Sequence, residues 1–315
     1  MKIVSSILPS EKIQSKIKSD YPKVNFEFYK GMKNAEESFY DAEVFLTYGE
    51  DLTPDHIEKA KNLKWIMVMS AGMEKMPFDA CREKGILVTN VRGVHKIPMA
   101  EYTMGMMLHH AKQVSSMLAN EQEEIWERIP KAELCDQTIL ILGVGAIGGE
   151  IARLAKAFRM HTLGVNSSGN QVDHIDEIYS LAHLNQILTR ADYVVSVLPS
   201  TNETKGLLTE EHFKWMKDTA VFINIGRGDL ISEEVLLTSM EKKHIAHAFL
   251  DVFSQEPLPK GHPFWKMENV TVTPHVSSIT KKYLPRSFEI FNHNLHTYIN
   301  KGNKFINKIN LERGY

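Results

Sequence analysis

Residues 138–158 read TILILGVGAIGGEIARLAKAF, and this stretch decides the fold. The run Thr138 to Leu142 is apolar and β-rich, so it reads as a buried strand. Gly143, Gly145 and Gly148 come directly after it, and apolar residues then recur at helical spacing. The first glycine permits a tight turn, the second lets backbone approach a pyrophosphate, and the third lets the helix press on the strand. The amides that open the helix face the phosphates. Gly143, Gly145, Ala146, Ile147 and Gly148 are therefore the candidate contacts for a dinucleotide. A ligand-free strand-to-helix turn is the plainer alternative, and the strand, helix and next strand favour the cofactor.

Working outward, the runs HTLGVN, YVVSVLP, AVFINIG, HAFLDVF and VTVTP come next, with SLAHLNQILTRA and SEEVLLTSMEKK as helical segments between them. Together with the first strand they predict six strands in a doubly wound sheet. Upstream, KIVSSIL, VNFEFY, AEVFLTY, WIMVMS and ILVTN are separated by helical patterns such as SEKIQSKIKSDY and TPDHIEKAKN. The rhythm predicts a second series of parallel βα units, with a boundary near residue 97. A methionine-rich amphipathic segment runs from Pro98 to about Trp126. A last helical pattern, Thr280 to about Lys301, comes after the second sheet is complete and is available to cross back onto the first domain.

Composition narrows the function. The 315 residues exceed a comfortable single core and suggest two domains. Hydrophobic residues make up 43% and charged residues 24%, as in ordinary globular proteins. Lysine plus arginine number 37 against 39 acidic residues, so no global positive field draws in nucleic acid or a membrane surface. No apolar stretch is long enough to span a bilayer, and MKIVSSILPSEKI reads as a first strand rather than a leader. Cys81 and Cys135 are too few to staple a secreted domain and lack metal-ligand spacing, so a reducing cytoplasm and no metal are expected.

Beyond the glycine turn, the second strand ends Gly164, Val165, Asn166, Ser167, Ser168. NAD enzymes usually present an acidic residue there to the ribose hydroxyls. No carboxylate stands here to repel a 2′-phosphate, and Asn166, Ser167 and Ser168 can donate to one, so NADP is slightly favoured over NAD. Three further residues stand in order, Arg227 in NIGRGDL, Glu256 in LDVFSQEPLP and His275 in VTPH. An imidazole beside a carboxylate moves protons, and a guanidinium holds an anion. Arg227 and His275 come after apolar runs that end at the carboxyl edge of a parallel sheet, where such folds place ligands.

These motifs, with Ser70, Ala71 and Gly72 in MSAGME, Ala100 and Glu101 in PMAEYTMG, and VLPSTNETKGLL, stand in the order of a known family. The chain resembles the D-isomer-specific 2-hydroxyacid dehydrogenases, which include glyoxylate, hydroxypyruvate and phosphoglycerate reductases. The resemblance implies a smaller flavodoxin-like catalytic domain of residues 1–97 and 285–315 with a Rossmann domain of residues 98–284 inserted in it. It implies hydride transfer between a nicotinamide cofactor and a small 2-oxo or D-2-hydroxy acid. Arg227 would bind the substrate carboxylate and carbonyl, His275 would be the general acid or base, and Glu256 would hold His275 and raise its pKa. Ser70, Ala71 and Gly72 would grip the carboxylate, and Asp251 would receive the nicotinamide carboxamide. Leu198, Pro199, Thr204, Ile225, Gly226, Arg227 and His275 would line the cofactor.

Tyr48 and Met73 are expected at the substrate's C3 end, where their bulk favours small acids. Val276, Ser277 and Ser278 stand after His275 where relatives often have a glycine. The methionine-rich helix would form a homodimer interface, as its counterparts do in the family. Formate dehydrogenase, on the same scaffold, has glutamine where this chain has Glu256, which disfavours that reaction. A nucleotide-sensing corepressor on this fold is the alternative from a different class, and such proteins usually carry a disordered extension.

Overall fold

A computed structural model describes residues 1–70, 72–73 and 75–312. The chain forms two compact units, Met1–Val94 with Thr280–Tyr315, and His95–Ile279. The crossings fall a few residues before the expected 97 and 284.

In the first unit the strands are β1 (Lys2–Ser5), β2 (Asn25–Phe28), β3 (Val44–Thr47), β4 (Trp65–Val68) and β5 (Leu87–Asn90). All pair in parallel, in the order β2-β1-β3-β4-β5, the flavodoxin-like arrangement. β3 and β4 are buried along their whole length, as strands covered on both faces must be. The helix Tyr283–Ile299 does cross back. Its Phe291 ring stacks on Trp65 at 5.5 Å, and Phe288, Phe291 and Leu295 are buried there. Each such side chain contributes roughly 1.5–3 kcal/mol.

The second unit holds β6 (Thr138–Leu142), β7 (His161–Val165), β8 (Glu177–Tyr179), β9 (Tyr193–Ser196), β10 (Val221–Asn224), β11 (His247–Leu250) and β12 (Val270–Val272). Their order is β12-β11-β10-β9-β6-β7-β8, all parallel. This is the Rossmann pattern, whose switch point lies between β6 and β9. The sheet thus has seven strands rather than six. The addition is β8, a half-buried Glu-Ile-Tyr edge with no apolar run to announce it.

The methionine-rich segment is two helices, Lys96–Ala111 and Val114–Gln122, broken at Gln113, whose φ is +50°. The first buries Met99, Met104 and Met107 against the sheet. The second buries none of its residues. Among the described residues, no helix is long and apolar enough to cross a membrane.

Candidate active site

The site is built at the carboxyl ends of β6, β9, β10 and β11 and in the turn after β12. At the first of these, Gly143 adopts φ +102°, and its N–H and that of Val144 donate to Val165 O at the end of β7. A Cβ on Gly148 would sit 2.2 Å from Gly143 O, so only glycine lets the helix Ala146–Ala157 close on the turn. A Cβ on Gly145, by contrast, would meet nothing within 4 Å. The open side of the turn is thus at the helix N-terminus, where unpaired amides lie. The residues present therefore fit a pyrophosphate.

Leu198, after β9, lies between two glycines. A Cβ on Gly143 would meet Leu198 N at 3.4 Å, and one on Gly226 would meet Leu198 O at 2.7 Å. The exits of β6, β9 and β10 interlock with no room for another side chain. Ile225 is buried beneath them, and its N–H donates to Ser196 O. Thr204 turns into its own loop, donating to Pro199 O at 2.6 Å and accepting from Thr201 N. Its hydroxyl is occupied by that loop, so any cofactor contact from Thr204 itself comes through its backbone.

At the end of β7, Asn166 spends one amide proton on Asn170 O, and its Oδ1 accepts Gly169 N at 2.7 Å. Ser168 Oγ is 3.4 Å from the same Oδ1, while Ser167 is exposed. Asp173, the next acid along the chain, is exposed, and the two acids after it are engaged elsewhere. Asp176 pairs with Lys156, and Arg190 holds the Glu177 carboxyl down to about 2.

The trio comes next. His275 sits in the left-handed region at φ +53°, directly after the Thr273-Pro274 exit of β12. Its Nδ1 is 2.8 Å from Glu256 Oε2. The carboxylate's other oxygen accepts Phe253 N at 3.0 Å, which fixes its direction. With Nδ1 held by Glu256, Nε2 is the ring nitrogen left to exchange a proton. Both side chains are partly open to solvent.

Arg227 belongs to the same construction. Asn224 donates to Arg227 O at 3.0 Å, and Arg227 Nη1 donates to Gly226 O, with the guanidinium otherwise exposed. The adjacent Gly228 packs on Phe253 so closely that a Cβ would lie 2.0 Å from the Phe253 carbonyl carbon. Residues far apart in sequence are joined in series: the Arg227 loop rests on the Phe253 loop, whose Glu256 holds His275.

Asp251 is fully buried, and its carboxylate faces inward. Oδ1 accepts the Thr273 hydroxyl at 2.6 Å and Val276 N at 2.8 Å, and Oδ2 accepts Ser277 N at 2.9 Å. It anchors both ends of the turn that carries His275. Thr273 spends its one proton on Asp251, so the Tyr102 hydroxyl, 2.7 Å away, is the donor to Thr273. Sequence reading missed the anchoring by Asp251, the Tyr102 link and the packing demand at Gly228. A small residue straight after the arginine was the one signal available.

In the first unit, Ser70 and Gly72 are half-buried after β4, and Ala71 lies outside the described residues. Tyr48, after β3, is 43% exposed. Met73 is instead 6% exposed and packs in the core with Met32 and Met76, so it does not face a substrate. Its bulk therefore sets no limit on substrate size. Ala100 is buried, and Glu101 is exposed on its helix.

Among known proteins, residues 104–277 match the family model for the NAD binding domain of D-isomer specific 2-hydroxyacid dehydrogenases. The chain is 33% identical over 256 residues to a D-3-phosphoglycerate dehydrogenase of Methanocaldococcus jannaschii, covering 78% of this chain and 48% of that protein. It therefore spans about half the length of that relative. It is 31% identical over 246 residues to a glyoxylate reductase of Thermofilum pendens, covering 76% of this chain and 73% of the relative. A crystal structure of a D-isomer specific 2-hydroxyacid dehydrogenase family protein from Aeromonas salmonicida matches with a TM-score of 0.85 at 32% identity, over 98% of this chain and 99% of that one.

Proposed function

The chain belongs to the D-isomer specific 2-hydroxyacid dehydrogenase family, and from that premise we propose that it reduces small 2-oxo acids to D-2-hydroxy acids. The observation that carries this reading is the His275–Glu256 pair at 2.8 Å, one loop away from Arg227. A nicotinamide cofactor, when bound, supplies the hydride and takes it back in the reverse direction. His275 gives the proton from Nε2 to the substrate's carbonyl oxygen as negative charge develops there. Glu256 keeps the ring oriented, and the Arg227 guanidinium grips the carboxylate and carbonyl. In oxidation the neutral imidazole accepts the proton. Ser70 and Gly72 are assigned a further grip on the carboxylate, through backbone donors at their own sheet edge.

The glycine turn and the amides of the helix Ala146–Ala157 hold the pyrophosphate in this proposal. The turn 166–168 has no acid, so NADP is accepted at least as well as NAD. Asp251 acts as the anchor of the His275 turn. A second copy of the chain covers the apolar side chains of residues 114–129. Of these Leu118 is 53%, Ile125 54% and Trp126 93% exposed, a cluster a lone chain rarely shows to water.

The test monitors NADPH and NADH oxidation with glyoxylate, hydroxypyruvate, pyruvate and branched 2-oxo acids. Turnover is expected with at least one acid. His275→Ala should lower kcat about 100- to 10,000-fold with an unchanged circular dichroism spectrum. Near-normal turnover in that variant, or inactivity of the wild type on every acid, refutes the reading.

A further inference from the structure

Asp229 stands two residues after Arg227, on the short turn Gly228–Leu230. Its Oδ2 accepts the Ser200 hydroxyl at 2.6 Å, and its backbone O accepts Gly206 N at 2.9 Å. Lys205 Nζ is 4.0 Å from the same Oδ2, and Leu208 N donates to Leu230 O. The Pro199–Leu208 segment is already closed on itself by Thr204. Asp229 fastens that segment to the Arg227 loop through both its side chain and its backbone oxygen, beside the Leu208–Leu230 bond. The loop's other end is Leu198, gripped between Gly143 of the glycine turn and Gly226. Asp229 Oδ1 is meanwhile buried with no hydrogen-bond partner among the described residues. A buried carboxylate oxygen left idle costs stability.

We propose that Asp229, through Ser200, is a positioning residue that couples occupancy of the glycine-turn side of the site to the placement of Arg227. This coupling rests on the cofactor and substrate roles proposed above. A ligand that settles the 198–200 backbone fixes the body of the loop. The Ser200–Asp229 bond then fixes the chain two residues beyond Arg227, so the guanidinium is already placed when the acid arrives. Linkage makes the effect reciprocal, so the acid must tighten the cofactor by the same factor.

The experiment measures the Kd of NADPH, by quenching of protein fluorescence, with and without saturating oxamate as a non-reducible 2-oxo acid mimic. In the wild type, oxamate should tighten NADPH about tenfold, within the usual range for coupled sites. Ser200→Ala and Asp229→Ala should each reduce the factor to about twofold or less. The double variant should be no worse than either, because both changes remove one bond. Asp229→Asn, which still accepts from Ser200, should recover most of the coupling. In Asp229→Ala the KM for the best 2-oxo acid should rise by more than kcat falls.

Wild-type coupling that persists in Ser200→Ala and Asp229→Ala overturns the proposal while leaving the enzymatic reading intact. So does a fall in kcat and melting temperature with coupling unchanged, the mark of a merely structural residue. A wild type that binds no oxamate and reduces no 2-oxo acid overturns the enzymatic reading and this coupling together.

Discussion

Replacing Asp251 with asparagine changes one atom's chemistry in a fully buried place, and the cost can be worked out from the donors around it. The carboxylate takes three, the Thr273 hydroxyl and Val276 N on one oxygen and Ser277 N on the other. An asparagine has a single acceptor oxygen. Placed at the Oδ1 position it keeps two donors and sets its own NH2 against the Ser277 N–H. The reverse placement faces two donors and is worse. One charge-assisted bond is lost, about 1.5–3 kcal/mol, and a buried N–H is left unpaired, about 1–3 kcal/mol, with overlap between the two. A net loss of ~3 kcal/mol is expected, or a fall in Tm of ~6–12 °C for a unit of this size. Thermal and urea unfolding monitored by circular dichroism measure it. Turnover should fall as well, because the loosened turn carries His275. An Asp251→Asn protein within ~0.5 kcal/mol of wild type would refute the claim that this carboxylate organises the turn.

Further expectations concern other parts of the same unit. Gly228→Ala places a Cβ 2.0 Å from the Phe253 carbonyl carbon, so the Arg227 and Phe253 loops must separate. A destabilisation of ~1–3 kcal/mol with a larger loss of turnover is expected, and wild-type melting would count against so tight a contact. Burial, then His110 and His109, depress the His247 pKa from 6.5 to about 4. A base depressed on folding stabilises the fold above its unfolded pKa, and that stability drains away as pH falls from 6.5 towards 4. At about 1.4 kcal/mol per pH unit the upper bound is ~3.5 kcal/mol, roughly halved for partial exposure. His247→Gln should flatten this acid limb in urea unfolding, and an unchanged limb would rule the residue out as its source. With an acid placed at the end of β7, Ser167→Asp should shift preference from NADPH towards NADH by about tenfold or more in kcat/KM.

The fold was legible because buried parallel strands must be continuous apolar runs. WIMV, ILIL and VFI announce themselves, and the glycine spacing fixes where the switch point lies. β8 was not legible, because a three-residue edge with a glutamate carries no such run. Nor was the break at Gln113, where an ordinary residue takes a left-handed conformation inside an unbroken amphipathic pattern. SLAHLNQILTRA read as one helix but is a single α-turn, Leu184–Ile187, between two tighter 3₁₀ turns. In the site, the residue types able to do chemistry stood out. Their supports did not, because Asp251 and Gly228 act through partners distant in the chain. Met73 misled for the same reason, since sequence does not say which way a side chain turns as it leaves a strand.

The left-handed backbone at His275 has a consequence for how such a chain ages in evolution. Side chains with a Cβ are disfavoured there by about 1 kcal/mol, whereas glycine is at ease. A lineage that no longer needed proton transfer would gain robustness by drifting to glycine or asparagine at this one position. If His275 carries the proton as proposed, an imidazole held at that backbone cost is what separates a working site from a retired one.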